Sequence, residues 1–373
     1  MATGVILGLY MFVSGLSLTA SATENCTNAG GRVENLTINE TGFYDQDETE
    51  AVLSDNVVVS SRIFELLFKK QDQELALIPG GNIFGVKLKQ KNVSVVESKG
   101  IPALSSGDLI LSINGKQIST VEQAQKIIEQ SGSESVTIRA LHNGEEIGIE
   151  VKPRFENGEY KLGVSLRDGA MGIGTITFIN PQTGAFGGLG HGICDSESGE
   201  IVQMETGVVS GALLGGIHKG EVGKPGELTG ILTDEIDGVI TSNNECGVFG
   251  VLNKLPSGIN TVTVGSRDDV HEGEATIIST LKNGKSSEYK IEILDIDRSS
   301  GGSKSFRIRV TDETLKALSG GIVRGMSGSP IIQNGKLVGA VTHVLVANPT
   351  EGYGIFIENM LNAAEGRVQP KAA

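Results

Sequence analysis

The chain has 373 residues, a length that suggests two or three domains. Its formal net charge is −14, and no basic patch is present to neutralise phosphates, which argues against a nucleic-acid-binding protein. The 52 glycines, together with many runs of Val and Ile, predict a mainly β protein with many turns. Three cysteines without a CxxC pair make a disulfide framework unexpected, although Cys194 could bridge Cys246.

The first segment of the chain is apolar. Residues 5–18 carry almost no polar side chain, and Ala20-Ser21-Ala22 has the small residues typical of a cleavage site. We therefore expect residues 1–22 to be a signal peptide or a membrane anchor, although no Lys or Arg precedes Arg32 as in a standard signal. Residues 23–74 are acidic and polar and predict a spacer with one small ordered element.

Residues 75–154 have the pattern of one compact module. A loop leads into a strand at residues 83–88, and residues 107–118 alternate and turn at Asn114-Gly115. Residues 121–130 place apolar side chains at helical spacing, and residues 136–151 predict a hairpin.

This module resembles a bacterial PDZ domain. The resemblance is carried by the Ile83-Phe84-Gly85-Val86 loop and by residues 107–115. It implies that backbone N–H groups of Ile83, Phe84, Gly85 and Val86 capture a peptide carboxylate, and that the following strand accepts the peptide as an added strand. A module that docks only its own chain is the alternative, so the peptide would bind in cis or in trans.

Residues 156–373 form the second large unit. Many short apolar runs alternate with turn residues, and only residues 314–318 and 357–364 have helical spacing. This pattern predicts a β-barrel or a β-sandwich.

A glycine-rich loop in this unit has the layout of a serine nucleophile. Ser327 lies between Gly325-Met326 and Gly328, just before a predicted hairpin that turns at Asn334-Gly335. Glycines allow a sharp bend, and the N–H groups of Gly325 and Ser327 would form an oxyanion hole. Ser329 is a weaker candidate nucleophile, and an ordinary glycine-rich turn is the alternative.

A serine nucleophile requires a base, and His191 is the best candidate of the five histidines. It follows an apolar run and lies between Gly190 and Gly192, which would expose its imidazole on a tight turn. We expect the other histidines to lie at the surface, except that His343 would occupy the core or the rim of a pocket.

His191 and Cys194 also have an H-x-x-C spacing. A structural zinc site usually takes four protein ligands, and no second close pair is present. We therefore expect no metal and no cofactor.

Taken together, these features resemble one family. The His191 segment with residues 173–178, the Ser327 segment, and a preceding PDZ domain with an N-terminal anchor are similar to the sporulation stage IV protein B peptidases. That resemblance implies a chymotrypsin-like β-barrel serine peptidase with the triad His191, Asp312 and Ser327. Asp312 comes from the family match, whereas barrel topology favours Asp234 or Asp237 as the acid.

The resemblance also implies a cellular role. The protein would be exported to the space between the forespore membranes, where it would cleave itself and a membrane-bound regulator and so trigger late sigma-factor processing. Two alternatives remain open. One is a non-catalytic, membrane-tethered PDZ adaptor, and the other is a quality-control peptidase of the HtrA type, in which the PDZ domain follows the peptidase domain.

Overall fold

The computed structural model describes residues 5–13, 16–25, 32–41, 75–196, 198–256, 260–282 and 284–366. As predicted, they are mainly β. The strands are β1 (Val5–Val13), β2 (Leu16–Asn25), β3 (Arg32–Thr41), β4 (Ala76–Pro79), β5 (Ile83–Ser98), β6 (Leu109–Ile113), β7 (Lys116–Gln117), β8 (Val136–His142), β9 (Glu145–Val151), β10 (Arg154–Glu156), β11 (Glu159–Lys161), β12 (Val164–Ile179), β13 (Ala185–Gly188), β14 (Met204–His218), β15 (Glu227–Asn244), β16 (Gly247–Leu252), β17 (Val262–Val264), β18 (Gly273–Lys282), β19 (Lys285–Ile296), β20 (Phe306–Val310), β21 (Pro330–Gln333), β22 (Lys336–Leu345) and β23 (Asn348–Phe356). The helices are α1 (Val121–Ser131), α2 (Glu313–Ser319) and α3 (Ile357–Ala364), and a short 3-10 helix covers Arg267–Asp269.

The first three strands form a separate antiparallel sheet in the order β1-β2-β3. They cover most of the segment expected to be a signal or anchor. Among the described residues, no helix is both long and apolar enough to cross a membrane. The role of residues 1–22 stays a prediction, and most of the predicted spacer, residues 42–74, lies outside the described residues.

Six antiparallel strands pair in a cycle that we call the first strand set. In spatial order they are β5, β12, β13, β16, β15 and β14, and β14 pairs again with β5. The apolar side chains that alternate along these strands pack inside the cycle. Phe84 and Phe186 meet there edge to face, with ring centroids 5.8 Å apart.

A second cycle of six antiparallel strands, the second strand set, follows along the chain. Its spatial order is β18, β19, β20, β23, β22 and β21, and β21 returns to β18. Buried residues of these strands form a further core around Phe306 and Phe356, whose ring centroids are 5.4 Å apart.

Two short strands join the sets. β4 pairs with β12 of the first set and with β17, and β17 pairs in parallel with β22 of the second set. The two sets are therefore linked by backbone hydrogen bonds as well as by the connecting chain.

The PDZ-like module packs around α1. Its apolar core includes Val93, Ile110, Ile128 and Ile138, drawn from β5, β6, α1 and β8. The helix begins where Thr120 caps it by accepting a hydrogen bond from Gln123 N at 3.1 Å. The predicted helix and the predicted hairpin of β8 and β9 are both confirmed.

The predicted peptide-binding loop, Ile83-Phe84-Gly85-Val86, is wrong in its location. These residues are the beginning of β5, inside the first strand set. Phe84 pairs with Gly174 of β12 on one side, and Gly85 pairs with Ser210 of β14 on the other. Because Gly85 and Val86 are already paired on both sides, they cannot accept the strand of a peptide.

A buried carboxylate ties two strands of the second set together. Glu351 on β23 is 8% exposed and lies opposite Arg309 on β20. Its carboxylate accepts hydrogen bonds from Arg307 and from Arg309 Nε, the latter at 3.1 Å. The Arg307 bond is the main reason why the pKa of Glu351 lies below its ordinary value of 4.5.

We expect Glu351→Gln to lower the free energy of unfolding by about 1–2 kcal/mol, because two half-exposed guanidinium groups lose their anionic partner. Glu292→Gln is the matched control, since the exposed Glu292 pairs with the same Arg309 at 3.4 Å and should cost less than about 0.5 kcal/mol. A folded pKa below 4.5 means that the Glu351 contribution is complete above pH 4.5 and fades as the pH falls further. Urea unfolding at pH 7 and pH 4 measures both effects, and equal losses for the two variants would contradict this account.

Candidate active site

The Ser327 loop has the conformation that its glycines predict. Gly325 and Gly328 have φ values of 94° and 95°, in the region that L-residues avoid. A Cβ on Gly328 would lie 2.0 Å from Thr175 O, so a side chain has no room there. The hydroxyl of Ser327 is partly exposed and donates to Thr342 O at 2.6 Å.

Two buried threonines of β12 hold this loop against the first strand set. Thr175 N donates to Ser327 O at 3.0 Å, and its hydroxyl donates to Gly325 O at 2.8 Å. The hydroxyl of Thr177 donates to Gly328 O at 2.7 Å. The nucleophile loop belongs to the second set, so these three bonds fix its position relative to the first set.

The two amides expected to form an oxyanion hole remain free. Among the described residues, neither Gly325 N nor Ser327 N donates a hydrogen bond within the chain. Both groups are therefore available to a substrate oxygen.

His191 follows β13 of the first set, and the segment that carries it approaches the Ser327 loop. Leu189 N donates to Thr175 O at 3.1 Å, and a Cβ on Gly190 would lie 2.9 Å from the Thr342 side chain. The His191 segment and the Ser327 loop thus share Thr175 and Thr342 as neighbours. The structure brings the two predicted catalytic segments together.

The hydrogen bonding of His191 suits a general base. Its Nδ1 lies 2.9 Å from Gly192 O, and because a carbonyl only accepts, Nδ1 carries the proton and Nε2 is left as an acceptor. Burial lowers the pKa of His191 below 6.5, although the bond to Gly192 opposes this shift. The imidazole is therefore neutral at pH 7 and able to accept a proton.

His343 lies beside His191, which sequence reasoning did not expect. The two ring centroids are 5.0 Å apart and the ring planes are inclined by 37°. Burial lowers the pKa of His343 to about 4, helped by the charges of His191 and Lys304. One sequence signal could have indicated this contact. His343 directly follows Thr342 near the end of β22, the second strand of the hairpin after the Ser327 loop.

A cavity of about 410 Å³ opens beside the two imidazoles. The first set contributes Cys194 and Glu245 to its wall, and the loop between β19 and β20 contributes Ser300 and Lys304. The cavity therefore lies between the two strand sets and is large enough for a substrate side chain. Within the described residues, no group of three His, Cys, Asp or Glu side chains could hold a metal ion.

Asp312 does not bond His191 and instead caps a helix. It caps the N-terminus of α2, where its carboxylate accepts from Leu315 N at 3.0 Å and from Lys290 N at 3.2 Å. Burial alone would raise the pKa of Asp312, but these backbone bonds outweigh it and the pKa is lowered. Because its oxygens face α2 and β19 while His191 bonds Gly192, the structure does not join Asp312 to His191 as the family resemblance implied.

The competing acids are also remote from the base. Asp234 and Asp237 lie in the middle of β15, whereas Asn243, at its end, accepts from Ile193 N at 2.8 Å. Six residues of strand separate Asp237 from Asn243, which corresponds to about 20 Å. Burial, together with Glu235, raises the pKa of Asp237.

Ser329 cannot act as the nucleophile in this structure. It is fully buried, and its hydroxyl has no hydrogen-bond partner among the described residues. Ser327 is only partly buried, and its hydroxyl bonds Thr342 O, the carbonyl directly before His343.

A second candidate site lies on the PDZ-like module, away from the predicted loop. Residues 164–167, at the start of β12, pair with β5 on one side and with no second strand among the described residues. Val121 N, at the start of α1, donates to the Asp168 carboxylate at 2.9 Å. Before this edge lies Lys161-Leu162-Gly163-Val164, in which Gly163 is exposed and has a φ of 72°. A loop of this kind followed by an open strand edge suits a peptide carboxylate and its strand.

Two family models match parts of the chain. The model of the SpoIVB peptidase S55 family matches residues 158–361, and a PDZ domain model matches residues 104–141. No curated protein matches the sequence.

Three solved structures are similar to parts of the chain. The PDZ domain of an SdrC-like protein from Listeria monocytogenes is 24% identical and covers 21% of this chain and 90% of its own, with a TM-score of 0.20. Rv3671c from M. tuberculosis in an inactive form is 14% identical and covers 54% of this chain and 84% of its own, with a TM-score of 0.32. The HtrA-type protease AlgW with a decapeptide is 11% identical and covers 77% of this chain and 64% of its own, with a TM-score of 0.33.

The role of Asp312 can be tested with a substitution that keeps the helix cap. Asn caps helices about as well as Asp, so Asp312→Asn should keep α2 and leave kcat/KM within about threefold of the original chain. Asp312→Ala should lower the free energy of unfolding by about 1 kcal/mol, because it removes the cap. Hydrolysis of labelled casein and urea unfolding measure the two effects. A folded Asp312→Asn protein that loses about 10⁴-fold in kcat would instead identify Asp312 as the triad acid.

Proposed function

Because the chain belongs to the SpoIVB peptidase S55 family, we propose that it is an exported endopeptidase that acts in spore formation. The chain is a serine peptidase. The observation that carries the proposed mechanism is that the Ser327 loop and the segment just before His191 share Thr175 and Thr342 as neighbours. Protein or peptide substrates follow from the combination of a peptidase domain and a PDZ domain.

In the proposed mechanism, Ser327 attacks the scissile carbonyl while His191 Nε2 accepts its proton. The Gly192 carbonyl holds Nδ1–H and so fixes the tautomer throughout this step. The Ser327 hydroxyl first has to turn away from Thr342 O, which accepts its hydrogen bond in this structure. A substrate N–H that donates to Thr342 O would release the hydroxyl, so substrate binding and activation of the nucleophile would be coupled.

The tetrahedral oxyanion would be bound by the amides of Gly325 and Ser327. Both are free of partners among the described residues, and Gly325 holds its amide in place through a positive φ. His191 would then return its proton to the leaving amine. A water molecule would repeat the sequence on the acyl-enzyme.

We further propose that the peptidase unit is a chymotrypsin-like double barrel. The cyclic pairing of six strands in each set supports this arrangement, as does the location of His191 on the first set and Ser327 on the second. Each set would be one barrel, and the cavity beside the imidazoles would lie in the cleft between them.

The proposed biological role follows the family. The chain would be exported to the space between the forespore membranes, held there by its apolar N-terminal segment. It would cleave itself and a membrane-bound regulator that controls late sigma-factor processing. The open edge of residues 164–167 would bind a peptide C-terminus, either from this chain or from a partner protein.

Self-cleavage gives the most direct test of the nucleophile. The original chain should shorten itself, Ser327→Ala should stay intact, and Ser329→Ala should cleave at a rate within about threefold, because the Ser329 side chain is fully buried. A gel time course with N-terminal sequencing follows all three proteins. An intact Ser329→Ala protein, or a shortened Ser327→Ala protein, would overturn the assignment.

Peptide binding can be tested separately from catalysis. In the Ser327→Ala chain, a fluorescent decapeptide that ends in a leucine carboxylate should bind at least about tenfold more tightly than its C-terminal amide, because the loop amides capture a carboxylate. Fluorescence anisotropy measures both affinities. Equal affinities would mean that residues 161–164 are not a carboxylate site.

A further inference from the structure

Among the described residues, His191 lacks the carboxylate that usually partners a catalytic histidine. In a serine triad a carboxylate bonds Nδ1 and fixes the orientation of the imidazole. Here Nδ1 of His191 bonds the carbonyl of the adjacent residue, Gly192, and no carboxylate bonds the ring among the described residues. A bond to the next residue along the chain moves with the loop that carries the histidine. The ring therefore requires a second contact from outside its own segment.

His343 supplies that contact. Its ring lies against the His191 ring, with centroids 5.0 Å apart and planes inclined by 37°, a tilted packing of the two faces. His343 belongs to β22 of the second strand set, which also carries the Thr342 carbonyl bonded by Ser327. A contact through His343 thus aligns the base with the strand that holds the nucleophile.

The backbone beneath His343 is held firmly. The Thr342 side chain is buried and donates to Ser303 O at 2.8 Å and to Tyr353 O at 3.2 Å. His343 itself pairs with Tyr353 of β23. The ring therefore projects from a fixed strand into the wall of the cavity.

The hydrogen bonding of His343 indicates that the face of its ring, and not its Nδ1 atom, makes the contact that matters. Its Nδ1 is buried and has no hydrogen-bond partner among the described residues. A buried, unpaired nitrogen does not stabilise the fold, so packing of the ring is the contact that it contributes.

We propose that His343 is a positioning residue for His191, which holds the imidazole of the base in one orientation and shields it from water by packing across its face. This inference rests on His191 as the base of the proposed mechanism. His343 would touch neither the reacting oxygen nor the transferred proton.

The charged groups around the pair are consistent with this role. Burial is the main reason why the pKa of His343 is lowered to about 4, and the charges of His191 and of the nearby Lys304 lower it further. Glu245 and Cys194 line the same cavity from the first set. His343 is therefore neutral at pH 7, and its face carries no charge there that would repel a protonated His191.

The test compares His343→Phe with His343→Ala. Phenylalanine keeps a flat ring of similar size and removes the unpaired nitrogen, so kcat/KM should stay within about threefold and the protein should be at least as stable as the original chain. Alanine removes the packing, and kcat/KM should fall by about 10- to 30-fold, mainly through kcat, because misplacement of a catalytic group slows the reaction. Hydrolysis of labelled casein measures both variants, and urea unfolding shows that both are folded.

The pH profile separates positioning from a general loss of structure. In the original chain the acid limb of kcat/KM should lie below pH 6.5, because burial lowers the pKa of His191 and activity is lost only when the base is protonated. His343→Ala admits water to the His191 ring, so the midpoint of its acid limb should move up towards pH 6.5. His343→Phe should keep the midpoint of the original chain.

The outcomes are distinct. A loss of kcat/KM in His343→Ala, its retention in His343→Phe and an acid limb shifted upward in His343→Ala would together support the inference. Equal activity of both variants, equal loss in both, or an unchanged limb in His343→Ala would overturn it. An original chain without any casein hydrolysis, or one that keeps its activity in His191→Ala, would instead refute the proposed function.

Discussion

The hydrogen bonds that Thr175 makes to the nucleophile loop are the interaction on which the active site depends. Thr175 lies in β12 of the first strand set, yet its amide and hydroxyl both bind the loop that carries Ser327. Its carbonyl accepts from Leu189, two residues before His191. One buried residue therefore fixes the positions of the His191 segment and the Ser327 loop, which carry the proposed base and nucleophile, relative to each other. The absence of a side chain at Gly328 permits this approach, since a Cβ there would meet the Thr175 carbonyl.

The chemistry that results relies on burial and packing. A carboxylate beside the imidazole would raise its pKa, whereas here burial lowers the pKa of His191 and the Gly192 carbonyl fixes the tautomer. The base is neutral over a wider range of pH for this reason. Its orientation has to be maintained by neighbours, and His343 is the side chain placed to maintain it. Asp312 stabilises the site indirectly, because it caps the helix that precedes the nucleophile loop.

Local features of the sequence predicted local features of the structure. The Ser327 loop, the His191 turn and the helix of the PDZ-like module each depend on glycines, caps or periodicity within a few residues. The features that the sequence did not predict depend on pairing between strands that are far apart in the chain. Residues 83–86 have the pattern of a loop before a strand, and nothing local indicates that β12 and β14 cover both of its edges. The proximity of His343 to His191 likewise follows from how β22 lies against the first set, a contact that links residues far apart in the chain.

We propose that Ser327 is activated by a neutral, buried His191 that has no carboxylate partner among the described residues. Labelling with a fluorophosphonate probe, followed by mass spectrometry of the modified peptide and by rate measurements between pH 4 and pH 8, tests it most directly. We expect a single adduct on Ser327, a labelling rate that falls only below pH 6.5, and loss of labelling in His191→Ala but not in Asp312→Asn. An adduct on Ser329, or loss of labelling in a folded Asp312→Asn protein, would contradict it.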